Sequence, residues 1–349
     1  MNTKIIKIDE KNIDMQAITE AGNVVREGGL VAFPTETVYG LGGDALNSES
    51  SGKIYAAKGR PSDNPLIVHI THMDALSKIV REIPEAAYKL AERFWPGPLT
   101  MIFNKADCVP LETTGGLHTV AVRMPSNKIA GALIEASGGY VAAPSTNRSG
   151  RPSPTVVKYV IEDLDGRVDM IIDGGEADIG LESTIIDLTG DKPMILRPGF
   201  ITKEMIEEAI GEVEVDQTII EANSHKAPKA PGMKYRHYAP KGNLVIVEGS
   251  SDQVTVYINE QVQAYKGKGY KTGVIATDET KESYLADSVK SAGKRHQEEQ
   301  IAKQLFRILR EFDDEDVQVI YAESFEQKGV GQAVMNRLLK AAGHQVVKL

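Results

Sequence analysis

The sequence predicts an α/β protein of two domains, a large twisted mixed sheet with helices linked to a smaller Rossmann-like three-layer α/β domain. Three observations carry that prediction. Short apolar runs bounded by Gly or Pro alternate with helical patterns from residue 14 to residue 210. Periodicity then lapses from 213 to 242, in a stretch rich in Pro, Gly and cations. Beyond it strand and helix patterns alternate regularly, as they do in small parallel sheets flanked by helices. A chain of 349 residues also exceeds the size at which single cores stop growing and chains divide.

In the first domain, strands are expected at 30–33 (LVAF), 66–70 (LIVHI), 99–103 (LTMIF), 119–124 (TVAVRM), 140–143 (YVAA), 168–172 (VDMII) and 183–188 (STIIDL). Helices are expected near 14–27, 47–58, 73–81, 84–93, 126–136 and 202–210, the last opened by Thr202 as N-cap. The first domain is placed at 1–212 and a linker at 213–242. The second domain, 243–349, reads strand 244–248, helix 251–264, strand 273–277, helix 297–311, strand 317–322 and helix 330–342.

Composition excludes several classes. The single cysteine, Cys108, cannot form an internal disulfide or a Cys-rich metal site. No apolar run approaches the roughly 20 residues that span a bilayer, and the N-terminus lacks a signal-peptide pattern, so a cytoplasmic protein with no membrane partner is expected. The net charge of −9 argues against broad electrostatic binding of nucleic acid. Residues 1–212 hold 21 Lys and Arg against 30 Asp and Glu and so carry all of that charge. Any anionic ligand there needs a local cationic cluster. There is no GxxxxGK[ST], HExxH or GxSxG sequence, which removes the P-loop, zincin and hydrolase-elbow readings.

Several segments can carry chemistry. PTETVYGLGG, residues 34–43, leaves a buried strand and enters a glycine-rich turn that lets backbone approach a ligand. In KGRPSDNP, residues 58–65, Lys58 and Arg60 offer an ammonium and a planar fork suited to polyphosphate, or alternatively complement the dipole of the preceding helix. His69 lies in an apolar strand, where a core role is the commoner one. In TVAVRM the alternation puts Val120, Val122 and Met124 on one face and Thr119, Ala121 and Arg123 on the other. A strand Arg calls for a negative partner, either a structural carboxylate or a substrate's. PSTNRSG, residues 144–150, suits a phosphate or ribose, and equally an ordinary turn.

Taken together and in order, PTETVYGLG, KGRP with NPL, AVRMP, PSTNRSG, ESTIID and RPG resemble the YrdC-type domain of threonylcarbamoyl-AMP synthases. PGMKYRHYAP followed by an α/β unit ending GQAVMNRLLKAA is similar to the long, two-domain form of that family. The resemblance implies a YrdC-like fold and a nucleotidyltransferase that forms threonylcarbamoyl-AMP and pyrophosphate from L-threonine, bicarbonate and ATP. The product serves N6-threonylcarbamoyladenosine synthesis beside the tRNA anticodon. It further implies Lys58 and Arg60 as catalytic, with Thr37, His69, Arg123, Ala143 (through its backbone) and Ser183 lining a threonine pocket, Arg123 on the carboxylate. Lys58, Arg60, Asn64, Thr119, Ser145, Asn147, Ser153, Arg197, Arg236 and Tyr238 would contact ATP. Mg²⁺ is expected on the phosphates, with no ligand from protein. Downstream proteins that transfer threonylcarbamoyl to tRNA are the implied partners, along with weak RNA binding. The Tyr- and cation-rich linker suggests a lid over the nucleotide. Two rival readings are a carbamoyl-adenylate-forming transferase and a module that binds structured RNA.

Overall fold

The computed structural model describes residues 2–216 and 237–349, which group into two compact units. The first takes in 2–149, 153–178 and 182–216; the second takes in 150–152, 179–181 and 237–349. Two short segments of the first half thus cluster with the second unit, an arrangement that a linear division of the chain does not anticipate. Among the described residues no helix is long and apolar enough to cross a membrane.

The first unit runs β1 (Lys4–Lys7), α1 (Met15–Arg26), β2 (Val31–Phe33), β3 (Gly40–Asp44), α2 (Ser48–Lys58), β4 (Ile67–His69), α3 (Met73–Ile79), α4 (Glu85–Phe94), β5 (Leu99–Asn104) and β6 (Thr119–Arg123). It continues α5 (Lys128–Ala136), β7 (Val141–Ala142), α6 (Val157–Leu164), β8 (Met170–Asp173), β9 (Thr184–Asp187), β10 (Met194–Arg197), α7 (Lys203–Ile210) and β11 (Glu214–Val215). These strands form one mixed sheet in the order β1-β8-β2-β3-β7-β4-β6-β5-β9-β10-β11. Helix starts follow local chemistry. Asp14 accepts hydrogen bonds from the N–H groups of Gln16 and Ala17, and Asn47 accepts from Glu49 N–H. The Thr202 hydroxyl accepts from Met205 N–H, as its N-cap position predicts. Helix α2 stops at Gly59, whose φ of +61° is left-handed.

The two faces of β6 sort as the alternation of TVAVRM requires. Val120, Val122 and Met124 join the large apolar cluster with Leu41, Val68, Met101 and Ile186, whereas Ala121 packs with Ile67, Ile102, Ile185 and Leu196. The glycine-rich segment is corrected: Gly40–Asp44 is an interior strand, antiparallel to both β2 and β7, rather than a turn. Its missing side chains make room for neighbouring core. A Cβ on Gly42 would lie 2.8 Å from Val141 Cγ1 and 2.9 Å from Phe33 Cε1.

The second unit comprises β12 (Asn243–Glu248), α8 (Ser251–Lys266), β13 (Thr272–Ala276), β14 (Ser288–Ser291), α9 (Glu298–Asp314), β15 (Val319–Glu323), α10 (Val330–Ala341) and β16 (Val346–Lys348). All pairings in its sheet, ordered β14-β13-β15-β12-β16, are parallel. Every residue of β13 and β15 is buried, as central strands covered on both faces must be. Glu323 ends β15 as a buried carboxylate that is fully engaged. It accepts from Tyr284 Oη at 2.7 Å and from the Thr280 hydroxyl, and pairs with Arg295.

The packing at β3 makes a stability prediction. Gly42→Ala should cost about 1 to 3 kcal/mol through overpacking and lower the urea midpoint. Gly52→Ala, in α2 with nothing near the added methyl, should raise stability by about 0.5 to 1 kcal/mol. Equal midpoints for Gly42→Ala and the parent would refute the close-packing account of this strand.

Candidate active site

Three adjacent strands build the floor of the site. In register, His69 of β4 lies opposite Arg123 of β6, which lies opposite Thr100 of β5. Residues paired across neighbouring strands share a face, so imidazole, guanidinium and hydroxyl stand in one row. Two residues along each strand, Ile67, Ala121 and Ile102 form an apolar patch beside that row. Thr119 continues the same face of β6. The row extends sideways, because Thr100 Oγ1 is 2.7 Å from Ser183 Oγ just before β9. Arg197, at the end of β10, donates Nη2–H to the Ser183 hydroxyl at 3.1 Å and Nε–H to its carbonyl at 3.0 Å.

From the other side the β2–β3 connection reaches the row. Thr35, Glu36 and Thr37 are all buried. Thr35 and Thr37 hydroxyls are 2.9 Å apart, and Thr35 Oγ1 also donates to Val38 O. Arg123 Nη1 donates to Thr37 Oγ1 at 2.8 Å, and Arg123 Nη2 lies 2.7 Å from Glu36 Oε1. Thus Arg123 has a negative partner within the chain, the first of the two alternatives its position allowed. Burial is the largest influence and would raise the Glu36 carboxyl, but the Arg123 charge together with the nearby Arg123 side-chain donor and the backbone of Glu36 and Ser126 holds the group below the ordinary carboxylate range. His69 goes the opposite way: desolvation first, then the Arg123 charge, depress it to about 3. It is therefore a neutral imidazole at physiological pH, with Nδ1 3.0 Å from Ile67 O.

A second cluster forms where α2 ends. Lys58, its last residue, is buried, and its ammonium donates to the carbonyls of Ser145 and Asn147. Ser145 Oγ donates to Asn147 Oδ1 at 2.5 Å. The loop is tied to β3 by Leu41 N–H to Pro144 O at 2.9 Å, and to the residue just before it by Thr146 N–H to Tyr39 O at 2.9 Å. So the KxR and SxN pairs, separated by more than 80 residues of chain, meet through one ammonium. Arg60 leaves the helix and folds back on its own loop, donating to Asn64 O at 3.2 Å and Pro65 O at 3.0 Å. Asn64 is buried, and its side-chain Oδ1 has no hydrogen-bond partner. Ala143 uses its N–H on Ile67 O at 2.8 Å. Ser153 donates to Glu182 at 2.6 Å.

Direct contacts thus join Thr37 with Arg123, Ser183 with Arg197, and Lys58 with Ser145 and Asn147. Register adds His69 and the strand face adds Thr119. Arg236 lies outside the described residues. Tyr238 belongs to the second unit, where its ring is 5.0 Å from that of Phe306 and the Arg337 guanidinium lies 5.9 Å from its centroid. The linker read as a lid, 213–242, falls mostly on residues 217–236, also outside the described ones. Residues unread as site members are Glu36, Thr100 and Glu182. Each stands beside a residue or motif that was read, but only the fold pairs it with Arg123, Ser183 or Ser153. Among the described residues, no group of three or more His, Cys, Asp or Glu side chains is gathered as a metal site.

The comparisons with known proteins cover both halves of the chain. The Sua5/YciO/YrdC family model, described as "Telomere recombination", matches residues 23–199, and "Threonylcarbamoyl-AMP synthase, C-terminal domain" matches 201–343. The threonylcarbamoyl-AMP synthase of Pyrococcus abyssi is 49% identical over 99% of this chain and 100% of its own length. That of Bacillus subtilis is 49% identical over 97% of each. The crystal structure of P. abyssi Sua5 complexed with L-threonine superposes with a TM-score of 0.94 at 49% identity, covering 99% of this chain and 100% of that one. Such agreement over the full length of both chains leaves one conclusion: the chain belongs to the threonylcarbamoyl-AMP synthase family.

Proposed function

We propose that this chain is an L-threonylcarbamoyladenylate synthase, a nucleotidyltransferase that uses L-threonine, bicarbonate and ATP. The observation that carries the reading is the polar row His69, Arg123, Thr100 and Ser183 on one sheet face, bounded by Thr37 and Arg197. It offers a cation for a carboxylate and hydroxyl groups for a side-chain hydroxyl, with a neutral imidazole between strands. The threonine amine attacks bicarbonate carbon and water leaves, giving a carbamate. A carbamate oxygen then attacks the α-phosphorus, and pyrophosphate departs.

The side chains at hand are suited to positioning and to balancing charge rather than to covalent work. Arg123 would hold the amino-acid carboxylate, with Thr37, His69, Ser183 and the Ala143 backbone around it. Arg60, Asn64, Thr119, Ser145, Asn147, Ser153 and Arg197 would face the nucleotide, with Arg236 and Tyr238 as further contacts. Lys58 supports this end by fixing the Ser145 and Asn147 carbonyls and adding its charge nearby. ATP would enter as its Mg²⁺ complex, the ion held by phosphate oxygens and water. The product, threonylcarbamoyl-AMP, would pass in the cytoplasm to proteins that modify the adenosine next to the tRNA anticodon. The resemblance to synthases over both units favours this over a carbamoyl-adenylate-forming transferase or an RNA-binding module.

Incubation with labelled bicarbonate, ATP and an amino acid tests the reaction and its selectivity together. Threonine should give a labelled adenylate and stoichiometric pyrophosphate, serine less, and valine almost none, because a site built to hydrogen-bond a hydroxyl rejects an analogue lacking it. Equal turnover of valine and threonine would sink the hydroxyl-binding assignment, and no labelled adenylate at all would sink the reaction.

Arg60 provides a separate test. Arg60→Ala should slow pyrophosphate release by more than tenfold with little change in melting temperature, as expected for charge stabilisation at phosphorus. A lower melting temperature with full activity in the folded fraction would instead mark Arg60 as only a helix-terminus cation, an effect worth about 0.3 to 1 kcal/mol.

A further inference from the structure

Among the described residues, Glu36 is the acid that pairs with Arg123, and its geometry is poor for a purely structural counterion. Both groups are nearly sealed from solvent, at 6% exposure for Glu36 and 4% for Arg123. A buried ion pair stabilises a fold only when its geometry is good and its remaining donors and acceptors are satisfied. Here Nη2 and Oε1 approach to 2.7 Å but miss hydrogen-bond alignment, leaving both Glu36 oxygens and Arg123 Nη2 without a hydrogen-bond partner. The Arg123 side chain and the backbone of Glu36 and Ser126 lie near enough to lower the carboxyl's proton affinity, but outside hydrogen-bond alignment. Three buried polar atoms, two acceptors and one donor, are therefore open within a single ion pair, a costly arrangement for any group with nothing to bind.

We propose that Glu36 receives the α-ammonium group of the amino-acid substrate while Arg123 receives its carboxylate. The two halves of the pair are then the two halves of a zwitterion's binding site. This rests on the reading of the pocket as an amino-acid site given above. Charge supports it. A ligand bearing only a carboxylate would add an uncompensated negative charge to a buried neutral pair, whereas a zwitterion adds none. The open acceptors on Glu36 match ammonium N–H donors, and the open Nη2–H matches a carboxylate oxygen. His69, neutral for the reason given above, places no competing cation beside the ammonium. In this role Glu36 is a binding group for the nitrogen, which attacks bicarbonate only after its ammonium has given up a proton to solvent. Its carboxyl lies below the ordinary range, so it holds and orients the ammonium without being a strong base.

Calorimetric titration of the full chain with L-threonine and with 2,3-dihydroxybutanoate of matching stereochemistry, which replaces the amine by a hydroxyl, tests the inference. The parent should bind threonine more than tenfold more tightly than the amine-free acid. In Glu36→Gln, threonine affinity should fall more than tenfold while affinity for the amine-free acid holds or rises, since Arg123 gains an unopposed charge. A parallel loss of both ligands would overturn the proposal and reduce Glu36 to a residue that positions Arg123. Unchanged threonine affinity would overturn it outright. Should Glu36→Gln fail to fold, the parent alone decides, because equal affinity for the two ligands excludes an ammonium-binding acid. Failure of the parent to bind either ligand would remove the amino-acid reading itself, an outcome distinct from the others.

Discussion

Arg123 sits at the end of a central strand with almost no access to water, and a guanidinium there must be surrounded by acceptors. Much of the site's order follows from meeting that demand. Thr37 and Glu36 reach it from the β2–β3 connection, and Gly97 O lies 3.4 Å from its Nε. Its field adds to desolvation in holding His69 neutral and works against desolvation in keeping Glu36 ionised. A single cation thus contacts the PTET segment, which Thr35 also braces, and contributes to the protonation of both titratable neighbours. An Arg123→Leu chain would lose that ordering and leave Glu36 as a buried charge without a counterion.

The fold was legible wherever periodicity and composition agreed. The strands of LIVHI, LTMIF and TVAVRM, and helices such as 47–58 with its Asn47 cap and Gly59 stop, follow from apolar spacing and from termini with a known stereochemical cause. The elements that escaped did so for equally local reasons. Gly40–Asp44 is a strand with three glycines among five residues, so it carries almost no β propensity of its own. Its conformation comes from being clamped between β2 and β7. Strands β1 and β16 are short edge pieces with lysines, and an edge strand with charged side chains reads as surface chain. Strand β14, SVKS, is another edge without a continuous apolar run.

Site residues were legible as motifs rather than as contacts. Lys58 and the Ser145/Asn147 pair are read from separate segments, and nothing in spacing says that one ammonium bonds both carbonyls. That contact is a product of β3 crossing next to the 144–149 loop. Arg123 could be given a carboxylate partner on general grounds, but not its identity. Glu36 lies in a polar tetrapeptide, where an acid is normally solvated, and only the antiparallel turn from β2 to β3 carries it inward. Thr100 was hidden for the opposite reason, being one hydroxyl in an apolar strand until register set it beside Arg123 and next to Ser183.

The partners that fix each cation also sort the site by the charge of what it can accept. Lys58 and Arg60 donate hydrogen bonds to backbone carbonyls, whose dipoles help to hold a cation in place. Arg123 donates to the Thr37 hydroxyl, and its charge is balanced by the Glu36 carboxylate 2.7 Å away. Backbone carbonyls thus meet the cations at the KxR end, and a carboxylate meets the one at the row's centre. A polyphosphate and a zwitterion require that difference. The polyanion needs local positive potential strong enough to overcome a net charge of −9 carried by residues 1–212, whereas the amino acid, neutral overall, would be repelled at one end by any unbalanced site. On the function proposed above, carbonyl contacts at one end and a carboxylate at the other are what one acidic unit would offer to a polyphosphate and to an amino acid.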